Sequence, residues 1–199
     1  MSEGQRALFQ ESPISERKRA LFIVISDLEL YKELARWLKE RYLNKNFLFA
    51  GSTFENVPAN ILPFMKKDFF PPASRLLFWW AFMNERVEHV YKPSIESGRY
   101  DIVFAHEFGR EAFHRSITPY QPYRSMKETY ALHDELVRLR LAEQGVSPPD
   151  TYIAVRPTDP YIIEADELYF KNPAKQRMHY LLSGNRDQLL RKAVEFISN

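Results

Sequence analysis

Leu21-Phe22-Ile23-Val24-Ile25-Ser26-Asp27-Leu28-Glu29 is the stretch whose reading decides the fold. Its first five residues form an uninterrupted apolar, β-branched-rich run. That is the pattern of a strand at the centre of a parallel sheet covered on both faces. Ser26-Asp27-Leu28-Glu29 comes at once after it and reads as a capping box, with Ser26 as N-cap and Glu29 reaching back to it. Leu30, Leu34, Trp37, Leu38 and Tyr42 then recur at helical spacing. The chain therefore goes from strand through one tight corner into a helix. Where such a corner holds nucleotide phosphate it is rich in glycine. This one has no glycine and carries Asp27 and Glu29.

The remainder of the chain fits a protein built on such a unit. Its 199 residues suffice for one domain with a substantial core. A formal net charge of +2, with 27% charged residues, points neither to a nucleic-acid-coating surface nor to an acidic tail. The absence of cysteine excludes disulfide scaffolds, thiolate zinc sites and cysteine nucleophiles, and suits a cytoplasmic protein. The longest wholly apolar run, Leu76 to Met83, is far short of a bilayer span. The N-terminus lacks the apolar core of a secretion signal, and neither a membrane nor a nucleic-acid partner is expected.

Residues 1–18 are polar and mixed in charge and read as a flexible tail before a single domain over 19–199. Arg17-Lys18-Arg19 reads as a solvated start to the first strand. Phe47-Leu48-Phe49-Ala50 forms a second strand stopped by Gly51. Pro71-Pro72 opens a long helix over Ala73–Ile95, apolar on every side from Leu76 to Met83. Such a helix is enclosed all round, or one side is closed by a second subunit. Tyr100 to Ala105 is a third strand. Ser125-Met126-Lys127-Glu128 reads as a second capping box, opening a helix to Gln144 with Leu132, Leu136, Val137 and Leu139 inward. Tyr152-Ile153-Ala154-Val155 is a fourth strand, and the rest is helical in pattern over Pro160–Phe170, Pro173–Leu182 and Asp187–Ile197. Strands alternating with helices imply a three-layer α/β/α domain with a central parallel sheet.

Other chemistries find weak support. His106-Glu107, with Glu111 and His114 after it, suggests a zinc protease, but Arg110 stands where the second histidine belongs. His133-Asp134 reads as a solvated pair on a helix. No serine lies in a G-x-S-x-G elbow.

The long helix Leu76-Leu77-Phe78-Trp79-Trp80-Ala81-Phe82-Met83-Asn84-Glu85-Arg86, continuing to Pro93 and succeeded by Gly98 and an apolar strand, resembles that of thymidylate kinases. Leu21 to Leu38 stands where that family has its first strand, phosphate loop and helix. Pro149 to Val155, with Pro157 and Asp159, is similar to its fourth strand and the segment just after that strand. The likeness spans Leu21 to Asp159 and implies a phosphate-loop nucleoside-kinase-like fold, commonly paired through helices of the Leu76–Met83 region.

The resemblance places Phe82 where a ring stacks on the base and Arg86 where an arginine meets the monophosphate nucleotide. His106-Glu107 stands in place of an Asp-Arg pair, and Tyr120-Gln121 matches a Tyr-Gln pair near the base. It departs at the phosphate loop. G-x-x-x-x-G-K-[ST] cradles phosphates with backbone N–H groups and holds Mg²⁺ through its hydroxyl. Here Ser26, Asp27 and Glu29 replace the glycines' neighbourhood, Lys32 aligns only with one residue deleted, and Glu33 comes after it. The expectation is a non-catalytic thymidylate kinase-like module for nucleotide binding or protein interaction, bound neither to ATP nor to magnesium and paired through Leu76–Met83; its sharper form accepts a pyrimidine monophosphate over Phe82 and Arg86. The alternative is an active nucleoside monophosphate kinase whose phosphate donor is met by Lys171, Lys175 and Arg177, with ATP and magnesium as its cofactors.

Overall fold

A computed structural model describes residues 19–52, 54, 57–61, 63, 70–117, 123–144, 149–171 and 179–198. Five parallel strands lie in the order β2-β3-β1-β4-β5: β1 (Leu21–Ile25), β2 (Phe47–Ser52), β3 (Ile102–His106), β4 (Thr151–Val155) and β5 (His179–Leu182). The fifth strand corrects the sequence reading, in which Pro173–Leu182 is a helix. His179 to Leu182 pairs residue for residue with Tyr152 to Val155, so ladder bonds on an open edge override a local pattern that does not distinguish a short strand from a helical turn. Residues 1–18, expected to form a tail, lie outside the described residues.

The central strand has the register its sequence demands. Leu21 pairs Ile102 and Ile25 pairs His106 on one side, while Ile23 pairs Thr151 and Ile25 pairs Ile153 on the other. Alternate side chains then face opposite layers. Ile23, Ile25, Ile102, Phe104 and Ile153 join one core with α1 (Leu28–Arg41) and α7 (Arg186–Ser198). Phe22, Val24, Val103, Ala105 and Tyr152 join another beneath α2 (Pro72–Arg86). Burying one such Leu, Ile or Phe contributes about 1.5–3 kcal/mol, so both faces of β1 fix its place.

α2 does not end at Arg86. Val87–Tyr91 continues it as a π-helical turn, and α3 (Lys92–Glu96) completes it. Pro93 has no N–H to give the ladder and would crowd an ordinary helical turn, and the widened turn ends two residues before it. Leu76, Trp79, Trp80 and Met83 are buried, whereas Leu77 is 51% and Phe78 41% exposed. The helix is thus enclosed on one side only, with Phe70 and Phe78 in ring contact on the open side.

After β3 come α4 (Gly109–Ser116) and α5 (Tyr123–Gln144), and after β4 comes α6 (Pro160–Phe170). Phe113, Met126, Ala165, Leu168 and Tyr169 form a third core among them. α5 starts two residues before the expected capping box. Ser125 lies within it, with its carbonyl accepting the Thr129 hydroxyl, and Glu128 meets Arg124 at 3.2 Å. Its buried stripe runs through Met126, Thr129 and His133. Leu132, Leu136 and Val137 flank the core, and Leu139 points outward at 42% exposure. No helix among the described residues is long and apolar enough to cross a membrane.

Candidate functional site

In an open parallel sheet, ligands gather outside the carboxyl ends of the strands, near the point where connections leave in opposite directions. Here the chain leaves β1 toward β2 and leaves β4 toward β5, so that point lies between β1 and β4. The carboxyl edge presents the β1–α1 corner, Ser52 at the end of β2, Glu107 after β3 and Arg156 after β4.

The β1–α1 corner has only two residues, Ser26 and Asp27. Asp27, not Ser26, is the N-cap: its Oδ1 accepts the Leu30 N–H at 2.7 Å, and its carbonyl accepts the Tyr31 N–H at 2.9 Å. The Ser26 N–H instead donates to the Ile153 carbonyl at 3.0 Å, continuing the sheet. Because the sheet bonding of β1 runs one residue further than the sequence suggests, the cap falls one residue later. Glu29 consequently does not reach back. Its carboxylate takes the Lys32 ammonium at 3.0 Å and faces the Arg186 guanidinium of α7, which also meets Glu33 at 2.8 Å. The hydrogen bond from Lys32 holds the Glu29 carboxyl below its ordinary range. Lys32 and Arg186, the basic groups near this corner, are both engaged with carboxylates.

Along the edge, Tyr31 projects from the first turn of α1 toward β2 and β3. Its hydroxyl accepts the Gly51 N–H at 2.8 Å, and its ring lies 5.7 Å from those of Phe49 and His106. Gly51 has φ +76°, a conformation that favours glycine. Glu107 also has a positive φ, +64°, unusual for a residue with a side chain. Its carboxylate accepts the Ser52 hydroxyl at 2.7 Å and the Arg115 guanidinium, while His106 Nδ1 lies 3.7 Å away. Arg115 in turn lies over the rings of Phe54 and Trp79, 5.2 and 5.0 Å from their centroids. Glu107 thus ties the ends of β2 and β3 to α4 and α2.

The other expected contact residues sit nearby. Phe82 is half-buried against the core beneath α2. Arg86, the last residue of α2 before the widened turn, sends its guanidinium across to the Ala50 carbonyl of β2 and lies 5.9 Å from the Tyr91 ring. Its Nε is buried without a hydrogen-bond partner among the described residues. Arg86, His106 and Glu107 therefore gather at the carboxyl ends of β2 and β3, with His106 beside Tyr31 of the first turn of α1. Gln121, Lys175 and Arg177 lie outside the described residues, and Lys171 is exposed where α6 ends.

A second polar cluster lies deeper, and sequence reasoning does not find it. Arg110 forks onto Asp166 of α6, with Nε–Oδ1 at 2.7 Å and Nη2–Oδ2 at 2.6 Å, and its Nη1 reaches Glu111 at 2.9 Å. Glu111 also accepts the Phe108 N–H at 2.9 Å and the Tyr152 hydroxyl. His114 Nε2 lies 2.9 Å from Asp166 Oδ1. Burial works to raise the Glu111 carboxyl and is outweighed by Arg110, Tyr152 and the Phe108 N–H, leaving it below the usual carboxylate range. Burial also opposes ionised Asp166, but His114 and Arg110 hold its carboxyl low. The Tyr152 hydroxyl is pushed well up by burial and by the Glu111 charge. The available sequence signal is Glu111 at the third position of α4, where an acid can hold the N–H before the helix.

These positions dispose of two readings. Glu111 and His114 turn to Arg110 and Asp166 while His106 turns to Glu107, and among the described residues no group of three or more His, Asp or Glu is placed to hold a metal. His133 is not solvated: it is 0% exposed, with Nε2 2.9 Å from the Gly109 carbonyl and its ring against Trp80, Phe113 and Tyr169. It sits in step with Met126 and Thr129 on the inward face of α5.

No protein-family model matches the chain, and no curated protein matches it. Among solved structures it is similar to the crystal structure of a thymidylate kinase from Ehrlichia chaffeensis, at 16% identity and a TM-score of 0.64, over 90% of this chain and 99% of that one. The fold is thymidylate kinase-like, a parallel sheet flanked by helices as in phosphate-loop kinases.

Proposed function

We propose that this protein is a thymidylate kinase-like module that does not transfer phosphate from ATP and serves instead in ligand binding or protein interaction. The observation that carries the reading is the two-residue corner between β1 and α1. A phosphate cradle needs a loop long and flexible enough to aim successive N–H groups at one anion. With two residues there is no such loop, and the helix-terminal N–H of Leu30 is already taken by Asp27. Glu29 and Glu33 add negative charge within the first two turns. A carboxylate ~4 Å from a phosphate oxygen opposes it by about 1 kcal/mol in water and ~4 kcal/mol where screening is partial. No hydroxyl stands after Lys32 to hold magnesium, so neither ATP nor magnesium is a cofactor in this reading.

The acceptor half is better preserved. Phe82 and Arg86 stand on one helix near Glu107 and His106, and the buried Nε of Arg86 is a donor that a ligand oxygen could take. A pyrimidine monophosphate over Phe82 and Arg86 is the ligand this supports. The exposed Leu77 and Phe78 on α2 support a homodimer through Leu76–Met83.

Calorimetry with thymidine and other nucleoside monophosphates, and separately with ATP and magnesium, tests both halves. Heat from a monophosphate and none from ATP is expected. Silence from every monophosphate up to millimolar concentration removes the ligand. A coupled ADP-release assay with the same monophosphates is the check on catalysis, and measurable turnover would make the protein an active kinase with an unusual donor site.

A further inference from the structure

Side chains from three separate elements turn toward one place on the carboxyl edge. The Ser52 hydroxyl at the end of β2 donates to Glu107 Oε2 at 2.7 Å. Its oxygen meanwhile accepts the Phe54 N–H at 3.1 Å, so its proton is committed to Glu107. The Arg115 guanidinium of α4 meets Glu107 Oε1, with the rings of Phe54 and Trp79 against it. His106 Nδ1, at the end of β3, lies 3.7 Å from Oε2, too far for a hydrogen bond. That nitrogen is buried and has no hydrogen-bond partner among the described residues. It donates when it carries the ring proton.

A carboxylate fills this place incompletely. It brings two oxygens in one plane, which the serine and the arginine take, and the histidine nitrogen is left over. A tetrahedral oxyanion brings a third and a fourth oxygen and can reach all three side chains. Glu107 also holds its position against its own backbone preference. Its φ of +64° strains a residue with a Cβ, and such strain is kept where the surroundings impose it, often at ligand sites. The Glu107 side chain is 10% exposed and that of Arg115 36%, so an anion from solvent reaches the guanidinium without unpacking the core. Arg86 brings a second guanidinium to the same strand two residues earlier, at the Ala50 carbonyl.

We propose that Glu107 is a built-in anion plugging an oxyanion site formed by Ser52, His106 and Arg115, and that a phosphate group enters by displacing it. A carboxylate tethered this closely competes as an intramolecular ligand. The plug therefore lowers the affinity of the site for an outside anion without abolishing it. The phosphate group is carried on a ligand or is the free ion. The site lies on the same edge as the proposed nucleotide contacts and is independent of them, since inorganic phosphate alone is its first probe.

Glu107→Gly in the full chain removes the carboxylate and suits the positive φ. In this variant inorganic phosphate at about ten times its dissociation constant should raise the thermal unfolding midpoint by about 3–6 °C, relative to sodium chloride of equal ionic strength. The unaltered chain should need roughly tenfold more phosphate for the same shift. Arg115→Gln added to Glu107→Gly should remove the response. Glu107→Asn is shorter, neutral and also tolerant of this φ, and it gives the same comparison where the glycine variant does not fold. The proposal is overturned by folded variants that do not respond, by an equal response from the unaltered chain, or by a response that survives Arg115→Gln. Failure of both variants to fold also overturns it, making Glu107 a structural staple. Thymidine monophosphate in place of phosphate reads the source of the anion. A tighter response assigns the site to a phosphate carried on a ligand and an equal one to the free ion, and both support it. A response to phosphate with none to any monophosphate supports this site and removes only the nucleotide.

Discussion

Arg186 Nε lies 2.8 Å from Glu33 Oε1, joining the first residue of the last helix to the second turn of the first. The same guanidinium approaches Glu29, so its charge is shared between two carboxylates beside the β1–α1 corner. Removing the carboxylates should not restore ATP binding, because the corner behind them still has two residues. Glu29→Gln with Glu33→Gln is expected to remain silent toward ATP and magnesium in calorimetry. Heat from that variant would mean that charge rather than loop length keeps ATP away. Arg186→Ala should leave the unfolding midpoint nearly unchanged, since solvent screens exposed pairs of this kind.

The two residues of the corner make a sharper contrast. Asp27→Ala removes the side-chain acceptor of the Leu30 N–H and should cost about 1 kcal/mol of stability in denaturant unfolding. Ser26→Ala should cost much less, because Ser26 contributes its backbone N–H to the sheet and its side chain does not cap α1. Equal losses from the two variants would restore Ser26 as the cap.

That one-residue difference shows how far the sequence can be read. Leu21 to Ile25 announces a central strand because both its faces are buried, and burial on both faces leaves an unbroken apolar run. The three-layer fold is legible from such runs separated by helices. β5 is not, because a four-residue edge strand is held by ladder bonds to β4, which no local pattern reports. Of the candidate site, the sequence offers Phe82, Arg86 and His106-Glu107 by resemblance alone, and Arg86 with Glu107 then lies at the carboxyl ends of β2 and β3. Ser52, Glu107 and Arg115 meet across more than fifty residues of sequence, and the fork of Arg110 onto Asp166 spans fifty-six. His133 misleads for a related reason: a histidine beside an aspartate looks solvated until the faces of α5 are known.

The buried fork leads to a pH prediction. Glu111 and Asp166 have carboxyl pKa values lower in the folded protein than the ordinary values of these side chains. Their contribution to stability is therefore full above the ordinary carboxylate range near pH 4 and is lost as pH falls through the depressed values. Glu111→Gln and Asp166→Asn should each flatten the fall of stability in acid, measured by urea unfolding between about pH 6 and 3. An unchanged slope in both would contradict the assignment. Arg110→Met leaves two carboxylates facing each other without their shared cation, and breaking a buried pair in this way typically costs about 3–5 kcal/mol.

The close approach at Gly109 can be tested by adding one carbon. A Cβ there would meet Tyr169 Oη at 3.1 Å and His133 Nε2 at 3.3 Å, both tighter than ordinary van der Waals contact. Gly109 is the first residue of α4, and its carbonyl is held by His133, so the backbone has little freedom to retreat. Gly109→Ala should destabilise the protein by about 1–3 kcal/mol, the usual cost of overpacking a filled core. Tyr169→Phe removes the hydroxyl that the new methyl would strike. In the double variant the alanine should therefore cost less than it does alone, a coupling readable from a double-mutant cycle by thermal or urea unfolding. Strict additivity of the two changes would mean that the methyl is accommodated elsewhere and that the contact with Tyr169 does not set the spacing of α4 from α6.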